Sequence, residues 1–519
     1  EIRYSQVDMD AILGVDKELT DKLNVSTFIG GNKNSIEGET LMLSGNNFIV
    51  PGLEDIANTI DQGRSRSYGK RKIGSIFGSV ELAYDNFAYL TFTGRNDWFS
   101  TLSLPGKTTP NNDFYPSVSG SLILSELFDS EAFDFLKLRG GWSQVAGGAD
   151  GAYQLALTYQ IFGQGHLGQP LGNITNGSVP NGNLIPYNKT EFEIGVDGRL
   201  FKNRLSFDVA YYTNRTENDI VPVSASIWSG YGSALANIGV VENKGIELLF
   251  SGKPILTDDF YWNSSFNFSF NEGTVISTND TDNDIGLGAA RSRNVEIKHI
   301  VGEPYGSIVG VTYVRDDAGN IVYDLNGDGV PIAQKGSREI LGEGVPPIQW
   351  GWSNTFSYKN FDLYFLIDGK SGGQIFSGTN LKLYGKGLHK ATLEGRESGL
   401  QVTGIDAATG SSFTTTVAPE NLSTYYSRID DIAEQFVYDS DFIKFRQLSI
   451  GYSLPNNLMK DIFLKSAKIS FIATNLFYIK RSVENIDPES AYNVGNAQGL
   501  EYFGVPSTKS YGFNLNVKF

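Results

Sequence analysis

The 519-residue chain contains no cysteine and only three histidines and three methionines. Without cysteine there is no disulfide framework, no thiolate metal site and no cysteine nucleophile. His166, His299 and His389 stand far apart, each in a loop-like stretch, and no pair has metal-ligand spacing. Positive charge is also short: 42 Lys and Arg face 58 Asp and Glu, a formal net charge of −16. Neutralising phosphates needs a basic patch, so this balance argues against a nucleic-acid partner. No apolar run approaches the ~18 residues of a membrane helix. No basic segment followed by an apolar core opens the chain, so its start reads as mature or truncated. Proline-rich, serine-rich and single-sign charge runs are lacking too, which leaves no visible linker between compact domains.

What the chain has instead is glycine and aromatic rings. Glycine supplies 59 residues, Phe 33 and Tyr 26, a mixture suited to strands and tight turns. Apolar residues recur with a period of two. Trp262, Phe266, Phe268 and Phe270 alternate with Asn263, Ser265, Asn267 and Ser269. Val80, Leu82 and Tyr84 lead through Asp85-Asn86 into Ala88, Leu90 and Phe92. Phe356 and Tyr358 lead through Lys359-Asn360 into Phe361, Leu363 and Phe365. The last residues repeat the pattern, with Tyr511, Phe513, Leu515, Val517 and Phe519 set against Gly512, Asn514, Asn516 and Lys518. Such alternation gives each strand one apolar and one polar face.

About sixteen such segments of about ten residues are visible, the length of a tilted membrane strand. Their connections are either short turns or long loops rich in Gly, Asn, Ser and Tyr, at 159–187, 272–300, 375–440 and 481–508. Short turns at one end and long loops at the other characterise an all-β, transmembrane antiparallel β-barrel. A soluble β-sandwich also alternates. Its polar faces, however, would carry more Lys and Glu than Asn, Ser and Gly, and aromatics would gather less at strand ends, where Trp98, Trp142, Trp262 and Trp350 stand. One short helix is expected, from Asn456 to Leu464 after Pro455.

Motifs for chemistry are weak. Asp324-Leu-Asn326-Gly-Asp328-Gly matches the first half of a calcium loop, but Lys335 stands where the closing glutamate belongs. A structural calcium ion and an Asx-rich turn are the two readings of it. Gly369-Lys-Ser-Gly-Gly373 lacks the upstream glycine of a phosphate loop and the acidic partner of a serine triad, so no enzyme is expected. Aromatics set among small polar loop residues are Trp228, Tyr231, Tyr384, Tyr425, Tyr426 and Tyr492. Rings of this kind either stack on a sugar or peptide ligand or pack the loops.

Gly94-Arg-Asn-Asp-Trp98, Phe114–Ser119, Ser125–Phe128 and Leu136–Gln144 resemble, in order and spacing, the SusC-like TonB-dependent outer-membrane transporters of Bacteroidetes-type bacteria. Asn243–Glu247, Ile443–Pro455, Asn475–Phe477 and Asp487-Pro488-Glu489 extend the resemblance to nearly the whole chain. It implies part of a barrel of about 22 strands around a plug. The plug, the TonB-contacting segment and about six strands would lie in sequence not present here. The resemblance also implies outer-membrane location, a SusD-like surface lipoprotein as partner, TonB-energised import of oligosaccharide or oligopeptide, and no catalytic cofactor. The aromatic terminal strand, Tyr511 to Phe519, resembles the signal that barrel-assembly machinery reads. A scaffold subunit of a larger outer-membrane assembly and a soluble glycan-binding β-protein are the rival readings.

Overall fold

The computed structural model describes the chain apart from residues 162–165, 168, 170, 175–176, 279–282, 290–293, 326, 328, 459–462 and 491–497. Among the described residues no helix is long and apolar enough to cross a membrane. Long strands dominate, following one another in chain order: β1 (Ile2–Thr20), β2 (Leu23–Phe48), β3 (Thr59–Tyr84), β4 (Ala88–Phe99), β5 (Asn112–Ile123) and β6 (Phe133–Gly147). Next come β7 (Tyr187–Leu200), β8 (Leu205–Ser224) and β9 (Ser233–Leu256), then β10 (Phe260–Ser277), β11 (Ile348–Tyr358) and β12 (Phe361–Ser371). The series ends with β13 (Phe442–Ser453), β14 (Ser466–Arg481) and β15 (Ser510–Lys518). The chain divides into two compact units. The first holds β1 to β5, the second β10 to β15, and β6 to β9 give one end to each.

Register explains why period-two sequence becomes this architecture. In the first unit Val80, Phe92, Val118 and Trp142 lie opposite one another across four antiparallel strands. One residue along, Glu81, Thr91, Ser119 and Gly141 form the neighbouring row on the other face. In the second unit Trp262, Phe356, Leu363, Ile450, Phe471 and Phe513 cross six strands in one apolar row. Ser357, Asp362, Gly451, Ser470 and Asn514 make the polar row beside it. A slip of one residue would exchange the two faces, so the pattern fixes the register.

The apolar face is left bare: Phe513 is 80% and Leu515 67% exposed. Each such side chain kept in water forgoes roughly 1.5–3 kcal/mol of burial. A wall of this kind is stable only against lipid. Asn354 on that face is buried instead, and its Oδ1 accepts from the Trp262 indole at 3.0 Å.

Turns and strand ends depart from expectation in instructive ways. Asp85 and Asn86 both take positive φ, 49° and 59°, the mirror-image turn that matches strand twist. β2 and β3 each run 26 residues, not about ten. Their apolar alternation ends near Gly31 and Gly74, but backbone pairing continues through Lys, Arg, Glu and Ser. The expected sixteenth strand is only Ser178–Val179, parallel to β9.

Buried apolar packing lies chiefly in the loops. In the second unit the described residues of segments 285–343 and 374–440 form a lobe with two four-stranded sheets, and a three-stranded one in which Gln374–Ser377 pairs with Val437–Asp439 and Leu500–Glu501. Of the four-stranded sheets, one holds Ile285–Ala289, Val295–His299, Ser307–Tyr313 and Lys335–Glu343; the other holds Ile332–Ala333, Val322–Asp324, Leu400–Asp406 and Ser412–Val417. Its core gathers Ile297, Ile308, Phe376, Leu381, Ile432 and Phe436. Helices α1 (Gly378–Gly385) and α2 (Leu422–Arg428) in this lobe were not expected from sequence. Both are too short to show a periodic stripe. The expected helix after Pro455 is a single turn, Asn456–Leu458, and residues 459–462 lie outside the described residues.

Candidate functional site

The polar face of the first unit holds a groove of about 670 Å³ between the inner rows of β4 to β7. Its floor is small and hydroxylic, with Thr91, Ser117, Ser119 and Ser121, and Arg139 and Glu193 pair across its rim at 3.2 Å. Ser117 shares a hydrogen bond with Thr93 at 2.5 Å. Small side chains keep the space open, and hydroxyls with two cations, Lys137 and Arg139, and the carboxylates of Glu81, Glu191 and Glu193 offer a polar ligand both donors and acceptors. This groove was not anticipated as a site. Its only sequence signal is the Ser-x-Ser-x-Ser spacing on β5, which puts three hydroxyls on one face.

The loop aromatics expected to meet a ligand are distributed unevenly. Tyr384, Tyr425 and Tyr426 come together in the lobe, with ring centroids 5.9 Å apart for Tyr384–Tyr426 and 5.4 Å for Tyr425–Tyr426. Tyr426 is buried and donates its hydroxyl to Ala391 O at 3.2 Å, so its ring is part of the lobe's packing. Trp228 is 97% exposed on the turn between β8 and β9 in the first unit, with Tyr231 half-buried nearby. Tyr492 lies outside the described residues, as do Asn326 and Asp328 of the calcium-like loop. Asp324 accepts a hydrogen bond from Gln334 at 2.8 Å. Among the described residues no group of three or more His, Cys, Asp or Glu side chains gathers to hold a metal ion.

His299 corrects a sequence expectation. It ends a lobe strand rather than sitting in a loop, it is buried, and its ring lies 4.7 Å from that of Tyr305. Burial pushes its imidazole down to about 4, so it stays neutral at physiological pH.

A charged cluster, also missed from sequence, ties the 482–509 segment to β12, β13 and β14. Arg446 is the extra residue of a bulge in β13, a geometry that re-aims its side chain. It donates to Glu489 through two nitrogens, at 2.9 and 2.7 Å, and to Asp368 at 2.7 Å. Lys444, only 1% exposed, donates to Glu489 at 2.8 Å and to Ser507 at 2.9 Å. Asp487 accepts from the Tyr478 hydroxyl, and from the Ser507 amide at 2.8 Å. Burial opposes the charge on Asp487, but hydrogen bonds from Ser507 and Tyr478 and from backbone amides outweigh it and hold the carboxyl at about 2. Glu489 is likewise partly desolvated, yet Arg446 and Lys444 bring it below the usual glutamate range. The signal available in sequence was Lys-x-Arg at positions whose alternation is otherwise Phe442, Leu448, Ile450 and Tyr452, with Asp-x-Glu downstream.

Residues 4–379 match the family described as TonB dependent receptor-like, beta-barrel. The chain belongs to that family. It is similar to TonB-dependent receptor P3 of Formosa agariphila, 27% identical over 86% of this chain and 45% of that protein. It is similar also to TonB-dependent receptor SusC of Bacteroides thetaiotaomicron, 26% identical over 86% of this chain and 43% of that protein. The structure titled "Structure of the RagAB peptide transporter" superposes with a TM-score of 0.78 at 17% identity, covering all of this chain and 56% of that one, a likeness of fold. The chain thus spans about half the length of the curated relatives it matches.

As a TonB-dependent receptor barrel the protein is located in the outer membrane, and the soluble β-protein reading falls. The bare apolar rows face lipid, and the groove lines the inner side of the wall. The family is one of receptors and transporters, not of enzymes.

Proposed function

We propose that the chain forms wall, inner lining and surface lobe of an active importer of an oligosaccharide or oligopeptide. In this reading a SusD-like surface lipoprotein captures the nutrient with the long loops, and TonB supplies energy through a plug. Its main support is the groove of about 670 Å³ on the polar face, lined by hydroxyls and glycines rather than by fixed charge alone. A small, hydroxylic lining lets an uncharged polar oligomer pass without a deep binding minimum. Similarity to TonB-dependent receptors supports the dependence on TonB, and likeness to a structure described as a peptide transporter supports an oligopeptide among the candidates. Trp228, Tyr231 and Tyr384 are the rings proposed to stack on it. Asp324, Asn326 and Asp328 are proposed to take a calcium ion as a loop staple, and Tyr511 to Phe519 to be read by barrel-assembly machinery.

Uptake of labelled oligosaccharide and oligopeptide pools by cells with and without the gene tests the reading. Import of one pool that depends on both the gene and TonB is the expected result. Unchanged uptake, together with stable co-purification with secretion or barrel-assembly subunits, would make the protein a scaffold instead.

A further inference from the structure

The outward face of β1 to β3 changes character abruptly along the strands. From the short turn upward, β2 presents Leu23, Val25, Thr27, Ile29 and Gly31, then Lys33. Opposite them β3 presents Tyr84, Leu82, Val80, Gly78 and Ile76, then Gly74, Lys72 and Lys70. β1 matches with Val15, Leu13, Ala11 and Met9, the last opposite Lys33. The ten steps from Leu23 to Lys33, at about 3.4 Å each and a tilt of about 40°, rise about 26 Å along the membrane normal. That is the height of the apolar band of an outer-membrane barrel, about 25 Å. Lys33 and Lys72 therefore stand at the depth of the headgroups on the long-loop side, which in such barrels is the outer leaflet.

A concave site of about 270 Å³ lies there, lined by Ser5, Val7, Met9, Lys33, Ser35, Glu37, Lys70 and Lys72. Its floor is Ser35, directly between Val7 of β1 and Lys72 of β3. Glu37 is already matched, accepting from Lys70 at 2.7 Å and from the Tyr68 hydroxyl at 3.0 Å. Lys33 and Lys72, both exposed, make no ion pair among the described residues. The site is thus cationic in a protein of net charge −16, and it is amphipathic, with lysines and Val7 around the serine floor and Met9 at the edge of the apolar band, above Ala11 and Leu13.

We propose that this site binds the phosphorylated headgroup of an outer-leaflet lipid, with Lys33 and Lys72 on the phosphate and the acyl chain running from Met9 down the outward row to Leu13. Charge complementarity selects an anion, and continuity with the lipid-facing rows selects an amphiphile over a soluble anion. Lys70 is held in place by Glu37 and completes the cationic rim. The site goes beyond the import reading and does not depend on it.

Native mass spectrometry of the purified full natural chain in detergent tests the proposal. The probes are a phosphorylated glycolipid, the same lipid after enzymatic dephosphorylation, and inorganic phosphate. The wild type is expected to retain one phosphorylated lipid and at least about tenfold less of the dephosphorylated form. Lys33→Gln/Lys72→Gln should lose that adduct, Lys33→Arg/Lys72→Arg should keep it, and Lys22→Gln at the short turn should leave it unchanged. Heat-modifiable gel mobility reports that each variant is folded. Equal retention by the glutamine variant, equal retention of dephosphorylated lipid, or full displacement of the lipid by millimolar inorganic phosphate would each overturn the proposal.

Discussion

At the scale of single residues, the cluster around Glu489 carries more consequence than any loop aromatic. Lys444 is buried, and Glu489 is its charged partner. Glu489→Gln leaves that ammonium uncompensated, a change that costs about 3–5 kcal/mol when the pair is buried. The loss should appear as faster amide exchange in the 482–509 segment, with β1 to β5 unaffected. Unchanged exchange there would show that the ion pairs do not hold the segment.

The same cluster has a predicted acid dependence. The folded pKa of Asp487 is lowered from 3.8 to about 2. A lowered carboxylate contributes stability that is complete above the unfolded value and is lost as pH falls through the folded one. Pepsin cleavage between Ser482 and Ser510 should therefore stay slow at pH 4 and accelerate toward pH 2. Asp487→Asn should cleave quickly throughout, and a flat profile for the wild type would contradict the assignment. Sequence alone showed the parts, Ile443–Pro455 and Asp487–Glu489, as familiar stretches. It could not show that they meet, because a bulge at Arg446 and 43 residues of chain separate the partners.

At the scale of elements, alternation is a claim about environment that substitutions on neighbouring positions can separate. Val118 sits in the outward row and Ser119 in the inward one. Val118→Lys should destabilise the folded protein by about 2–4 kcal/mol, the cost of a lysine facing the bilayer centre. Ser119→Lys should change stability by less than about 1 kcal/mol, since the inner side is wet. Denaturant titration from lipid vesicles measures both, and equal effects would refute the facing. The strand series and the two faces were legible because side-chain period and burial coincide in a wall one strand thick. Strand length was not, since β2 and β3 continue as paired backbone after their apolar signal has stopped. The terminal strand makes a further prediction: removing Phe519 should lower the amount of heat-modifiable protein in the outer membrane without changing synthesis.

At the scale of the molecule, the lobe and the wall obey opposite rules. Wall strands expose apolar residues, whereas the lobe hides Phe376, Ile432 and Phe436 as a soluble domain would. Phe436→Ala should cost about 3–5 kcal/mol, seen as increased exchange in the lobe segments 285–343 and 374–440 while β10 to β14 stay protected. Opening of the wall at the same time would show that the lobe is not an independent folding unit. The import reading belongs to this scale too, because it needs partners and a plug in addition to this chain.

The amino-acid sequence by itself determined the strands, their facing and the family, because a period of two is a local property that needs no knowledge of partners. It also determined the absence of thiol chemistry, since composition alone decides that. Tertiary structure decided the rest: that Arg446 and Lys444 meet Glu489, that Tyr426 is spent on packing, that three strands bring Lys33 and Lys72 to one site, and that serines of β5 line a groove. These facts depend on bulges and on which distant segments meet, and a local period of two carries no information about either.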